Sequence, residues 1–227
     1  MILKNKIKIK EMFTSIQGEA PYVGVKQLFI RFCGCNLNCD YCDTEFDFKS
    51  DFVEYSVDEL VKKINEYNLD TVHSISLTGG EPLLSVDFLK ELLPKLSLPI
   101  YLETNATLCE EFLKIKEFVD IVSADIKLKS ATGIVGLCEK HDAFFENCSG
   151  IETFAKVVFD DKITDLEIEQ TCYLAEKYNI ELILQPMMIG DKMAVSSDFA
   201  SKILDEFLMR YRKVRLIPQV HKFLSVR

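Results

Sequence analysis

The 227-residue sequence contains no apolar run approaching the roughly 20 residues that a helix needs to cross a bilayer. Its start, Met1-Ile-Leu-Lys-Asn-Lys-Ile-Lys-Ile-Lys10, lacks the uninterrupted apolar region of a secretory signal. A cytoplasmic protein without a membrane partner is the expectation, and in that compartment eight cysteines do not form a disulfide framework. Positive charge is also scarce, with 27 basic residues against 36 acidic ones and a net charge of −9. Proteins that work on nucleic acid carry a basic footprint, so a small-molecule substrate is expected and a nucleic-acid partner is not. Repeats, low-complexity tracts and Pro/Gly/Ser-rich linkers are missing, which points to a single domain over residues 1–227. Gly79-Gly80 lacks the Gly-Lys-Ser/Thr of a phosphate loop, which excludes that mode of nucleoside triphosphate binding.

What the chain does have is Cys35-x-x-x-Cys39-x-x-Cys42, three thiols within eight residues. Structural zinc takes a Cys-x-x-Cys pair and a second pair farther along. Here that second pair is missing. A cubane [4Fe–4S] cluster takes one cysteine per iron, so three cysteines leave one iron without a protein ligand, and an open position is where chemistry is done. The spacing also leaves open a zinc knuckle that uses Cys33 as a fourth ligand. The remaining cysteines (Cys109, Cys138, Cys148 and Cys172) are scattered, as expected of small buried hydrophobes.

Strand and helix patterns alternate along the chain. Strands are expected at Lys6–Phe13, Gln27–Phe32, Ser74–Thr78, Ile100–Thr104, Ile121–Lys127, Phe154–Phe159 and Ile180–Pro186, with a strand-like end at Val214–Val220. Helices are expected from the capping box Ser56-Val-Asp-Glu59 to about Tyr67, then at Val86–Leu96, Glu110–Phe118, Leu137–Cys148, Thr164–Tyr178 and Ser197–Arg212. That alternation gives an α/β protein with a mostly parallel sheet. About six βα units are too few to close an eight-fold barrel, so an open, partial (β/α)6-type barrel is expected. Such sheets bind ligands at the carboxyl ends of their strands. The polar motifs fall there: Cys35–Cys42, then Thr78-Gly79-Gly80-Glu81-Pro82, Glu103-Thr104-Asn105, Ser123-Ala-Asp125-Ile-Lys127, and Gln185-Pro-Met187-Met188. The glycine pair offers a backbone that a ligand can approach closely, with Glu81 available to orient it.

The cysteine spacing, with Tyr41 just before the last thiol, and the Gly-Gly-Glu-Pro segment resemble the signature of the radical S-adenosylmethionine (SAM) enzymes. The resemblance implies a [4Fe–4S] cluster on Cys35, Cys39 and Cys42. It also implies SAM held by residues drawn from Tyr41, Cys42, Asp43, Gly79, Gly80, Glu81, Glu103, Asn105, Ser123, Asp125, Lys127, Gln185, Met187 and Met188. The usual glycine after the asparagine is Ala106 here.

Three further features narrow the resemblance: Ile16-Gln17-Gly18-Glu19 with Arg31 in the next strand, Asp43-Thr44 directly after the last cluster cysteine, and the ending Pro218-Gln-Val-His221 through Arg227. From about Glu11 to the end, the chain resembles the 7-carboxy-7-deazaguanine synthases. The resemblance implies ring contraction of 6-carboxy-5,6,7,8-tetrahydropterin, in which a deoxyadenosyl radical takes hydrogen from C6 and later returns it, and ammonia is lost. It places Ile16, Gln17, Gly18, Glu19, Arg31, Thr78 and His221 at the pterin, together with the terminal carboxylate of Arg227. It places Mg²⁺ on Thr44, and it implies a homodimer served by an electron donor such as flavodoxin or ferredoxin. Two other readings stay open on sequence alone: a glycyl-radical-activating enzyme, and a non-catalytic iron–sulfur or zinc regulatory protein.

Overall fold

The alternation of side chains along each strand decides what this sheet encloses. In a computed structural model that describes residues 6–42 and 52–226, one nine-stranded sheet runs in the order β11-β8-β7-β6-β5-β4-β2-β1-β3. Its strands are β1 (Ile7–Ile16), β2 (Lys26–Phe32), β3 (Val53–Tyr55), β4 (Ser74–Gly79), β5 (Ile100–Thr104), β6 (Ile121–Asp125), β7 (Glu152–Phe159), β8 (Glu181–Pro186) and β11 (Val214–Leu216). A hairpin of β9 (Met188–Ile189) and β10 (Lys192–Met193) stands apart. From β2 to β11 every neighbouring pair is parallel, while β1 pairs antiparallel with β2 and with β3. The two ends of the sheet do not meet, so the barrel is open.

Helices α1 (Val57–Ile64), α2 (Val86–Leu92), α3 (Cys109–Leu113), α5 (Cys138–Glu146), α6 (Asp165–Tyr178) and α7 (Ser197–Leu208) follow strands in turn, with the short α4 (Lys129–Thr132) and α8 (Val220–Leu224) between and after them. Ser56 and Glu59 form a reciprocal capping box at α1, and Thr164 and Glu167 do the same at α6. Pro94 ends α2 early in a 3₁₀ turn. Past β11, Pro218 has no N–H to give a ladder, and the chain turns into α8 instead of extending the strand to Val220. Cys148 and Cys172 are buried, whereas Cys138 opens α5 and is exposed, contrary to the sequence expectation.

On the outward face of the sheet, Leu28, Ile30, Leu77, Leu102, Val122, Val157 and Leu184 pack against helix residues such as Leu60, Leu89, Phe112, Phe144, Ile168 and Phe207. The inward face is divided along its length. Tyr101, Ile121, Phe154 and Ile183, with Ala20 inserted from the β1–β2 connection, form a dry plug at one level. Two residues farther on, the same strands present Glu103, Ser123, Lys156 and Gln185, because side chains repeat every second residue. The barrel is therefore apolar at its amino end and polar toward its carboxyl end.

The cysteine loop is fastened to this frame by backbone contacts that leave no space for side chains. Gly80 N donates to Phe32 O and Glu81 N to Gly34 O. A Cβ on Gly80 would lie 1.6 Å from Gly34 O. Replacement of Gly80 by alanine must therefore separate the loop from the strand end. Overpacking of this kind costs roughly 3 kcal/mol, or about 6–12 °C in Tm for a chain of this size. Thermal unfolding of Gly80→Ala against wild type measures this, and an unchanged Tm would contradict the packing described.

Candidate active site

A cavity of about 660 Å³ opens at the carboxyl end of the strands. The loop after β2 brings Cys35, Cys39, Tyr41 and Cys42 to its wall. The turn after β4 brings Gly79 and Gly80, and the chain beyond β5 brings Asn105. Asp125 at the end of β6, Lys127 just beyond it, Gln185 near the end of β8, Met187 after it and Met188 opening β9 complete that side. Facing them are Ile16, Gln17, Gly18 and Glu19 from the end of β1, Arg31 from β2, Thr78 from β4 and His221 from α8.

Two expected site residues lie away from the wall. Glu81 is fully buried beneath it, accepting hydrogen bonds from Leu83 N (3.1 Å), Thr104 Oγ1 (2.9 Å) and Asn105 N (2.8 Å). Its carboxylate joins the β4 and β5 loops. Burial raises it to about 7, against those three donors, which favour the charged form. Ser123 is buried within the barrel, one layer below Asp125. Gly80 also admits the chain's own Gly34 at close range, while both glycines border the cavity. Asp43, Thr44 and Arg227 lie outside the described residues.

On the cysteine side, Leu37 N donates to Cys35 Sγ at 3.4 Å, and Asn105 Nδ2 reaches Asn36 Oδ1 at 2.8 Å. Ala106, which follows, takes the left-handed conformation (φ +54°) that glycine adopts freely and that costs another residue roughly 1–2 kcal/mol. Its N–H is anchored on Thr104 Oγ1 at 3.1 Å. Burial raises the Cys35 and Cys39 thiols, and negative charge on neighbouring cysteines adds to the effect, while Lys127 opposes it.

Such a donor set fits a cubane cluster. No three His, Cys, Asp or Glu side chains among the described residues converge as the ligands of a single metal ion would. A cubane does not require convergence, because each thiolate binds a different iron. Cys33 does not border the cavity and feels Lys8 and Lys10 of β1. At the end of β8 lies a buried polar atom suited to a ligand: Gln185 Oε1 has no hydrogen-bond partner among the described residues.

A continuous line of polar contacts crosses the cavity floor. Lys127 Nζ donates to Tyr41 Oη and to Asp125 Oδ2, each at 2.9 Å. Lys156 Nζ lies 3.4 Å from Asp125 Oδ1 and donates to Glu19 Oε2 at 2.6 Å. Gln219 Nε2 donates to Glu19 Oε1 at 2.7 Å. A second network fixes Glu103, expected with the cofactor residues, among residues expected at the substrate: its oxygens accept from Gln17 Nε2 (2.9 Å) and Thr78 Oγ1 (2.7 Å). Gln17 is in turn held by Gln27, with Nε2 donating to its Oε1 at 3.0 Å. Arg31 Nε donates to Glu11 Oε1 at 2.8 Å on the cavity wall.

Lys156, Gln27 and Glu11 are not singled out by any motif, and Gln219 stands within the C-terminal motif without a role read from it. Lys156 carried one available signal, a lone charge inside the apolar run Phe154-Ala-Lys-Val-Val-Phe159. Gly18 is required where it stands, since a Cβ there would lie 2.4 Å from His221 Cβ, and Val220 N donates to Gly18 O at 2.8 Å.

Burial alone would raise the Glu19 carboxyl, but the Lys156 ammonium beside it and the hydrogen bonds from Lys156 and Gln219 hold it at about 2. Its ordinary value is 4.5. The folded value is thus depressed, so the stability Glu19 contributes is complete above pH 4.5 and is lost as pH falls from 4.5 toward 2. Relative to Glu19→Gln, the wild type should lose about 2–3 kcal/mol across that window. Denaturant titrations of both proteins at several pH values check this, and a pH-independent difference would contradict the pairing.

Comparison with known proteins identifies relatives of this chain. The Radical SAM superfamily model matches residues 29–135, from within β2 to beyond α4. A 7-carboxy-7-deazaguanine synthase of Geobacter sulfurreducens is 37% identical, over 96% of this chain and 97% of its own length. One of Archaeoglobus fulgidus is 36% identical with the same coverage. Among solved structures, QueE from Escherichia coli shares the fold with a TM-score of 0.61 at 21% identity, covering 95% of each chain. A radical SAM methyltransferase from Sphaerobacter thermophilus aligns with a TM-score of 0.62 at 12% identity, over 88% of this chain and 67% of its own. With relatives above 30% identity aligned along nearly their whole length, and with the three-cysteine loop set at the mouth of an open α/β barrel, the chain belongs to the 7-carboxy-7-deazaguanine synthase family of the radical SAM superfamily.

Proposed function

We propose that the protein converts 6-carboxy-5,6,7,8-tetrahydropterin into 7-carboxy-7-deazaguanine by radical ring contraction with loss of ammonia. The observation that carries this reading is the two-sided cavity, with the three-cysteine loop on one wall and Gln17, Glu19, Arg31 and His221 on the other. The full-length relatives favour neither a glycyl-radical activase nor a regulatory metal module. The protein acts as one domain, in the cytoplasm and as a homodimer, served by a flavodoxin or ferredoxin. Family resemblance supports these assignments, and the acidic balance of the chain argues against a nucleic-acid partner.

In this reading Cys35, Cys39 and Cys42 hold a [4Fe–4S] cluster. Tyr41, Cys42, Asp43, Gly79, Gly80, Asn105, Asp125, Lys127, Gln185, Met187 and Met188 hold SAM. When bound, the two together supply a 5′-deoxyadenosyl radical capable of taking the C6 hydrogen of the pterin. The protein's own residues place that carbon. Arg31 offers a planar guanidinium to the substrate carboxylate, with Glu11 on its Nε side keeping it extended along the wall. Glu19 offers an anion to the amide and amino donors of the pyrimidine edge, and Gln17 and Thr78, locked on Glu103, fix the position of the ring. His221 closes the site over Gly18. These contacts orient the substrate and keep water from the reacting carbon.

Anaerobic incubation of reconstituted protein with SAM, a reductant and the carboxy-tetrahydropterin tests the activity, read by mass spectrometry of the product. Formation of 7-carboxy-7-deazaguanine is expected. Iron-loaded protein that cleaves SAM but leaves the pterin unchanged would refute the substrate assignment. Alanine at Cys35, Cys39 or Cys42 should abolish both iron retention and SAM cleavage, while Cys33→Ala retains both. Loss of the cluster from Cys33→Ala would restore the four-ligand alternative.

Mg²⁺ is assigned to the Thr44 hydroxyl together with the substrate carboxylate, consistent with the preference of that hard cation for oxygen. Thr44→Val keeps the shape of the side chain and removes the oxygen. Turnover should lose its magnesium stimulation while SAM affinity changes less than about threefold. Full stimulation in the variant would place the metal elsewhere.

A further inference from the structure

Lys156 is a buried ammonium in the middle of β7, with no part in the sequence motifs and no assigned role in the reaction. Its neighbours on the strand, Ala155 and Val157, face the helices, so the β alternation directs Lys156 into the barrel. There it lies between two carboxylates from opposite halves of the cavity, Glu19 at 2.6 Å and Asp125 at 3.4 Å. A buried cation is tolerated when it is paired, and this one is doubly paired. We propose that Lys156 is a positioning residue for the heterocyclic substrate: it locks Glu19 in a single orientation as an anion, so that its two oxygens together receive two adjacent N–H donors of the ring.

Each Glu19 oxygen already receives one hydrogen bond from the protein, Oε2 from Lys156 and Oε1 from Gln219. A carboxylate oxygen has a second acceptor site. With both oxygens pinned, the carboxylate plane cannot rotate, and its remaining acceptor sites form a pair of fixed separation. A 2-amino-4-oxopyrimidine edge has the matching pair, a ring N–H beside an exocyclic amine. This inference rests on the pterin reading above and explains what gives Glu19 its selectivity.

Without the ammonium, the surroundings of Glu19 change sign. Asp125 from β6, Glu103 and Tyr101 from β5, and Gln219 and His221 from the C-terminal segment remain around it, and burial favours the neutral acid. A protonated Glu19 has one acceptor oxygen and one hydroxyl donor, which no longer match two N–H donors. Substrate affinity should then depend on deprotonating Glu19, and lowering the pH should weaken binding. Lys156→Arg keeps a cation at the site and should behave like wild type.

The test measures Kd for the carboxy-tetrahydropterin on anaerobic, reconstituted holoenzyme at pH 6 and pH 8, for wild type, Lys156→Met, Lys156→Gln and Lys156→Arg. Lys156→Gln keeps a hydrogen-bond donor and serves if the methionine variant does not fold. The Lys156→Met or Lys156→Gln variant should bind at least tenfold more weakly than wild type at pH 8. From pH 8 to pH 6 it should lose a further tenfold relative to wild type, while Lys156→Arg follows the wild type. Lys156→Arg, which keeps the cation beside Glu19, controls for the pH dependence that the substrate and the rest of the site bring to every arm. A neutral variant whose affinity is uniformly lower, with the pH dependence of wild type, would overturn the proposal and leave Lys156 a structural residue. Failure of wild type itself to bind the pterin would instead refute the substrate reading.

Discussion

Everything in the cavity depends on how four charges are kept out of water. Lys127, Asp125, Lys156 and Glu19 alternate in sign across its floor, ending on the Tyr41 hydroxyl at one side and the Gln219 amide at the other. Taking any one ion out of water costs several kcal/mol after relaxation, and only well-formed pairing with satisfied hydrogen bonds repays it. The alternation provides that pairing, lowering the carboxyls and raising the ammonium groups. Removing one member leaves its neighbours buried and uncompensated. The line therefore behaves as a unit, and it joins the three-cysteine loop to the segment after β1 without a covalent link.

The sheet makes this line possible through its period of two. Tyr101, Ile121, Phe154 and Ile183 close the lower barrel as a dry layer, and the next inward positions can then be polar because the plug beneath them excludes water. The same register places Asp125 beside Lys156 across the β6–β7 pair. An open sheet suits the arrangement, since β1 and β2 carry Gln17, Glu19 and Arg31 to the cavity from the antiparallel side. Glu81 serves this frame from below, tying the β4 turn to the β5 turn.

Much of this was legible in the sequence because it lies in local patterns. The strand runs from Gln27 to Gln185 follow from apolar stretches, the α1 and α6 starts from capping boxes, and the three-cysteine loop from its spacing. What was not legible depends on pairing between distant segments. Lys156 meets Glu19 across 137 positions, and Gln219 meets it across 200. Glu81 reads as a ligand from its motif, and only the packing of the β5 turn shows that its carboxylate is consumed internally. Gly80 reads as a ligand approach, and its second constraint, the close passage of Gly34, shows only in the folded chain. The short α8 escaped because an apolar ending of Val220, Phe223 and Leu224 suits strand and helix equally until Pro218 is placed.

The central claim is that one cavity holds the radical source and the pterin on facing walls, close enough for direct hydrogen transfer. Turnover with substrate deuterated at C6 tests this most directly, with the recovered SAM and 5′-deoxyadenosine examined by mass spectrometry. The account predicts deuterium in the 5′ position of both. Formation of 7-carboxy-7-deazaguanine with no deuterium in either molecule would contradict it.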